Sequence, residues 1–270
     1  MHALFHCLSL ELGSYLVTYA HSECMLSSVL AVRDAFLRPG GRMLPSHASI
    51  CVAAYSDAAS WTSRVASWSN VYGFDMSVMR RHIFDEPVVE VLPPTSIVSS
   101  PVTLRAFNLE TMSPAEQDIL AAPFEFTLTC EGPLHGVALW FDIRFAGVLR
   151  TADSAAALSR TRADVANADE CPDLEDAVVE AAPNAQAISS AVSRSSDDDI
   201  TFSTGPAATP THWLQTLLLL REPTQPLPVG TVVSGTLSMA RDAGNPRQYR
   251  FVLDIRSPVA AQRQQSFHMR

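Results

Sequence analysis

Apolar positions follow two different rhythms along this chain. Between residues 22 and 38, Met25, Leu26, Val29, Leu30 and Ala31 repeat at helical spacing. Ser22 stands where it can cap that helix, and Pro39-Gly40-Gly41 stops it. Beyond it the rhythm shortens. The stretches "ASICVAAYS", "EPVVEVL", "VTLRAFNLE", "FEFTLTC", "HGVALWFDIRF", "WLQTLLLL", "TVVSGTLSM" and "RQYRFVLDI" alternate or form short apolar runs between Pro, Gly and Ser punctuation. So many strands behind one helix predict a mainly β fold, a β-barrel or sandwich.

Two segments break the pattern. Residues 56–86 read as helical and carry Trp61, Val65, Trp68, Tyr72, Phe74, Met76 and Met79. So aromatic an excursion either folds back on its own barrel or protrudes as an arm for a partner, and pattern alone leaves both open. Residues 151–200 contain no Phe, Trp or Tyr. They cannot bury enough apolar surface to offset the entropy of ordering, so a disordered insertion between two strands is expected. Loop closure grows costlier only slowly with length, and the barrel can tolerate it.

That insertion also holds most of the charge. It carries 11 acids and three arginines, a local net of -8, within a chain of net charge -9. The plain reading is a solvated loop; the functional one is a tether that attracts arginine-rich partners. The other residues are nearly neutral and show no basic face for nucleic acid. With 270 residues and 47% hydrophobic content the chain can bury a real core, as one large domain or two small ones. No apolar run approaches the ~18 residues of a membrane helix. The start, "MHALFHCLSLELGSYL", lacks a basic flank and a clear cleavage site, so no signal peptide is expected. The five cysteines are scattered without a Cys-x-x-Cys pair, which argues against a zinc site or a disulfide framework. A reducing compartment fits, the cytoplasm first and the nucleus as the alternative. Every one of the 19 basic residues is arginine.

Candidate chemistry gathers in "TFSTGPAATPTHWLQT", residues 201–216, where His212 and Trp213 stand side by side at the mouth of an apolar run. Taken alone, the pair reads as a packing tryptophan beside a solvated histidine. Glu23, taken alone, reads as an exposed first-turn glutamate favoured by the helix dipole.

Several stretches together resemble the protein arginine N-methyltransferases. "MLSSVLAVRDAFLRPGGRMLP" resembles the helix, turn and strand that join the two halves of these enzymes. "NVYGFDMS" resembles their dimerisation arm, and "FSTGPAATPTHWLQTLLLL" their Thr-His-Trp loop with the strand after it. "EPVVEVL" and "GNPRQYRFVLDI" follow in the expected order. The Phe-Ser-Thr-Gly-Pro version is most similar to the type I member that bears an N-terminal zinc finger. The resemblance covers residues 20 to 256 apart from the acidic insertion.

The resemblance implies a fold and a chemistry. Residues 1–42 would be a helical, C-terminal remnant of a Rossmann-like, S-adenosylmethionine-binding domain, and residues 43–270 a β-barrel substrate domain with its dimerisation arm at 56–86. The reaction would move a methyl group from S-adenosylmethionine to arginine side chains of proteins. A guanidinium stays protonated at working pH and must be held by its charge, which two carboxylates do by bidentate pairing. Glu23, in "HSECML", matches the second clamp carboxylate, and Met25 the methionine that lines the cofactor pocket. The family spacing puts the first carboxylate at Ser14, and Glu11 is the upstream acid that could replace it. His212 would hydrogen-bond to an acid of the amino-terminal helices, with Trp213 and Thr211 walling the arginine pocket. No glycine here sits in the strand–turn–helix context that cradles such a cofactor. The 270 residues are therefore expected to be inactive by themselves, and to join an arginine-rich substrate and a second subunit, as homodimer or heterodimer, through residues 56–86. The alternative is a non-catalytic barrel and arm that binds a full-length methyltransferase or another protein.

Overall fold

The computed structural model describes residues 25–146, 192–194, 199–245, 248–257 and 260–269. Glu11, Glu23 and almost all of the acidic insertion lie outside the described residues. Helix α1 (Met25–Phe36) forms where the apolar spacing predicts it. It buries Leu26, Val29 and Leu30 in the main core. Arg33 lies on the same buried side, which is possible because its guanidinium donates to the Leu109 carbonyl at 2.8 Å and pairs with Asp34. The other side of α1 leaves Phe36 67% exposed. Gly40, with φ at +75°, turns the chain out of the helix.

The strands that follow are β1 (His47–Tyr55), β2 (Val88–Glu90), β3 (Val102–Asn108), β4 (Ile119–Thr127) and β5 (Gly136–Phe145). Next come β6 (Val192–Arg194), β7 (Ile200–Ser203) and β8 (Gln215–Leu219). The last are β9 (Val232–Arg241), β10 (Tyr249–Ser257) and β11 (Ala260–Met269). They make two sheets. The seven-stranded one runs β2-β8-β5-β1-β3, with β7 also on β5 and β6 on β7; the four-stranded one runs β11-β10-β9-β4. All pairings are antiparallel.

The mainly β expectation holds, and its driving force is one core between the two sheets. Ile50, Val52, Leu139, Phe141 and Leu218 of the first sheet meet Phe126, Leu237, Phe251, Leu253 and Phe267 of the second. Each such side chain contributes about 1.5–3 kcal/mol by leaving water. β9 shows the period most clearly, with alternate positions buried from Val233 to Met239.

The excursion at 56–86 does two things at once. Asp57 caps α2 (Ala58–Ala66) by accepting from the Ser60 amide at 2.8 Å. Two short 3-10 turns, Ser67–Ser69 and Ser77–His82, carry the chain out and back. At the foot, Trp61 stacks on Phe84 with centroids 5.8 Å apart and donates its indole N–H to the Leu220 carbonyl at 3.0 Å. Trp61, Val65 and Ile83 pack on a second buried cluster containing Tyr55, Leu92 and Trp140, on the outer face of the first sheet. At the tip, Tyr72 is 98% and Phe74 72% exposed. The foot folds back and the tip protrudes. Strand β11 braces the foot from the other sheet: the Gln265 amide donates to the Phe84 and Leu219 carbonyls, and the His268 N–H to the Asp85 carbonyl.

Candidate functional site

Strands β7 and β8 lie end to end along one edge of β5. β7 pairs with Asp142–Phe145 and β8 with Gly136–Leu139. Trp140 and Phe141 face the gap, and there the chain leaves the sheet to form the loop that carries Thr211, His212 and Trp213. The departure is fixed by Thr204, whose amide donates to the Phe141 carbonyl at 3.1 Å while its hydroxyl accepts from the Phe141 amide at 3.2 Å. Gly205 lies on the Trp140 indole. A Cβ there would stand 2.8 Å from the indole nitrogen, so the close approach requires glycine.

Trp213 points inward. It is 7% exposed and belongs to the same core cluster as Leu26, Val29 and Leu30 of α1. Two rings meet it edge-on, Phe141 at 5.7 Å and Phe202 at 5.5 Å. His212 is exposed and rests on the Trp213 indole, with centroids 4.1 Å apart and planes tilted by 39°. The Thr211 hydroxyl is buried and has no hydrogen-bond partner among the described residues. Leu214 takes φ +57°, a left-handed conformation costing a side-chain-bearing residue about 1–2 kcal/mol. This turn sends Trp213 inward immediately before β8 resumes.

Of the residues singled out from sequence, Thr211, His212 and Trp213 therefore share one loop. Met25 opens α1 and is described by its backbone alone, while Glu11 and Glu23 lie outside the described residues. Sequence reading missed Thr204, Gly205 and Gln215, which hold the loop. The Thr-Gly-Pro turn was the signal for the first two; Gln215 gave none, as a polar residue opening an apolar strand. The Cys51 thiol, buried beside Asp142, is pushed up to about 12 by burial and that carboxylate, which makes it a poor nucleophile. Among the described residues no group of three or more His, Cys, Asp or Glu is placed to hold a metal. Gly40 is an open turn with no other atom within 4 Å of where a Cβ would stand.

Comparison with known proteins fits this architecture. Residues 46–161 and 189–258 match the family model described as the arginine methyltransferase oligomerization subdomain. The probable protein arginine N-methyltransferase 6.2 of Oryza sativa subsp. indica is 34% identical over 217 residues, covering 79% of this chain and 49% of that protein. The ribosomal protein arginine N-methyltransferase rmt3 of Schizosaccharomyces pombe is 33% identical over 239 residues, 88% of this chain and 36% of that one. The chain thus spans about half the length of the rice relative and about a third of the yeast one. In fold it is similar to the Trypanosoma brucei PRMT1 enzyme-prozyme heterotetrameric complex with AdoHcy, with a TM-score of 0.69 at 21% identity, covering 94% of this chain and 66% of that one. The match to the subdomain takes in every strand but β11 and includes the loop between β7 and β8, and on that evidence the chain belongs to the protein arginine N-methyltransferase family.

Proposed function

We propose that this chain supplies the barrel, the arm and one pocket wall of an enzyme that transfers methyl groups from S-adenosylmethionine to arginine side chains of proteins. Glu23, with Glu11 as its candidate companion, holds the guanidinium by paired charge-assisted hydrogen bonds. His212, Trp213 and Thr211 close the pocket from the barrel side. Most of the rate comes from positioning, because a protonated guanidinium is a weak nucleophile that must be aimed at the methyl carbon. One observation carries the reading: an imidazole held toward solvent on a buried indole, beside a buried Thr211 hydroxyl that has no partner among the described residues. An adjoining surface is what such a loop requires. The exposed side of α1, with Phe36, offers such a surface a place to pack.

Residues 1–270 by themselves are inactive in this reading, and the apolar arm tip docks on a second subunit of the family. Free Cys51 and Cys130 suit a reducing compartment, the cytoplasm or nucleus. The test is a chimera with a relative's S-adenosylmethionine-binding half placed before residue 21. It should methylate an Arg/Gly-rich peptide, and Glu23→Gln should lower kcat by about a hundredfold or more. Residues 1–270 should give no turnover. A chimera indifferent to Glu23→Gln overturns the clamp, and turnover by residues 1–270 overturns the inactivity.

A further inference from the structure

We propose that Gln215 is a positioning residue that couples the arm to the Thr-His-Trp loop, its buried carboxamide joining the backbone that leaves the arm to the neck of that loop. The proposal takes the loop's purpose from the reading above; the coupling itself stands on geometry alone.

Strand β8 is the seat of the arm. Trp61, at the arm's foot, is bonded to the Leu220 carbonyl just past one end of β8. The strand that returns from the arm, β2, pairs along β8 up to Glu90 opposite Gln215. Gln215 itself is 2% exposed. Its oxygen accepts from the Leu92 amide at 2.7 Å, and its nitrogen donates to the Thr204 carbonyl at 2.6 Å. Both partners are backbone groups of fixed role, one a donor only and the other an acceptor only, so the orientation of the carboxamide is determined. Thr204 and Gln215 are eleven positions apart, and this side chain ties the two ends of the loop between them together at its neck. Thr204 is also locked to Phe141, whose ring edges Trp213. The left-handed Leu214 sits between Trp213 and Gln215, so releasing the neck lets that residue relax and frees Trp213. A shift of the arm on its seat, passed through Leu92, reaches Trp213 by this path.

A merely stabilising amide would not separate its two bonds, and that decides the experiment. The four tryptophans are replaced by 5-fluorotryptophan, their fluorine resonances assigned by Trp→Phe variants, and amide hydrogen exchange is followed over 88–92 and 204–214. Gln215→Glu, followed at a pH above the titration of its buried carboxyl, keeps the acceptor for Leu92 and loses the donor to Thr204. Loop amides should then exchange about tenfold faster or more while the Leu92 amide stays protected, and the Trp213 resonance should move. Gln215→Met loses both bonds, and both segments should exchange faster. Trp61→Phe, which unpins the foot, should move the Trp213 resonance in the native background and leave it unmoved in Gln215→Glu. A Trp213 resonance indifferent to Gln215→Glu overturns the proposal, as does an equal response to Trp61→Phe in both backgrounds. Should Gln215→Glu fail to fold, Trp61→Phe in the Gln215→Met background decides by the same criterion. Failure of methyl transfer would leave all these readouts unchanged, so the two readings fall separately.

Discussion

The arm leaves the first sheet after β1 and returns as β2; the Thr-His-Trp loop leaves it between β7 and β8. The arm is rich in aromatic residues and the loop carries one tryptophan, and they place them oppositely. The arm keeps Trp61 and Phe84 at its foot and turns Tyr72 and Phe74 to water at its tip. The loop drives Trp213 into the core and turns the His212 imidazole to water. An apolar tip that none of the described residues covers waits for another surface, whereas a loop packed by its own core is preorganised.

The comparison breaks most readily at Trp213. Trp213→Ala leaves a void between Phe141 and Phe202 and should cost about 3–5 kcal/mol, read from urea unfolding. Gly205→Ala presses a methyl group on Trp140 and should cost about 1–3 kcal/mol in the same assay. A third test uses pH. His135, 6.3 Å from Trp61 between ring centroids, is held below its ordinary 6.5 by burial, with Asp57 opposing more weakly. The fold therefore favours the neutral ring, and the unfolded chain takes up the proton first. That contribution is complete above pH 6.5 and is lost as pH falls through the lower, folded value. Urea midpoints measured from pH 7.5 down to 5 should decline, and His135→Gln should flatten the decline. His47, also held low by burial and Arg144, leaves a residual slope of the same sign. Smallest in stability is the paired change Tyr72→Ser with Phe74→Ser, expected within about 0.5 kcal/mol of the native chain. Sedimentation should nevertheless show at least about a tenfold loss of self-association; unchanged association would remove the arm from the interface.

The strands were legible in two ways: alternation survives in β9, with one face buried, while β1 and β5, buried on both faces, read as short continuous apolar runs. Strand β11 was not: "AAQRQQSFHM" is polar for most of its length and joins the sheet by pairing with β10. The arm's aromatic density was visible, but its division into buried foot and bare tip depends on which residues reach Leu220 and Phe84, and no local pattern records that. Thr211, His212 and Trp213 were found together because they are adjacent in sequence. The Gln215 bridge spans Leu92, Thr204 and Gln215, which only the pairing of β2 with β8 and the clamp on β5 bring together.

The place where the family match is interrupted, between 161 and 189, has a practical side. Phe145 ends β5 opposite Ile200 of β7, and β6 flanks β7 on its far edge. Two strand spacings, about 10 Å, separate the point of departure from the point of return. Chain length in between is thus nearly neutral for the sheets, and the junction works as a port at which a passenger domain, natural or grafted, can ride on the barrel without redirecting a strand.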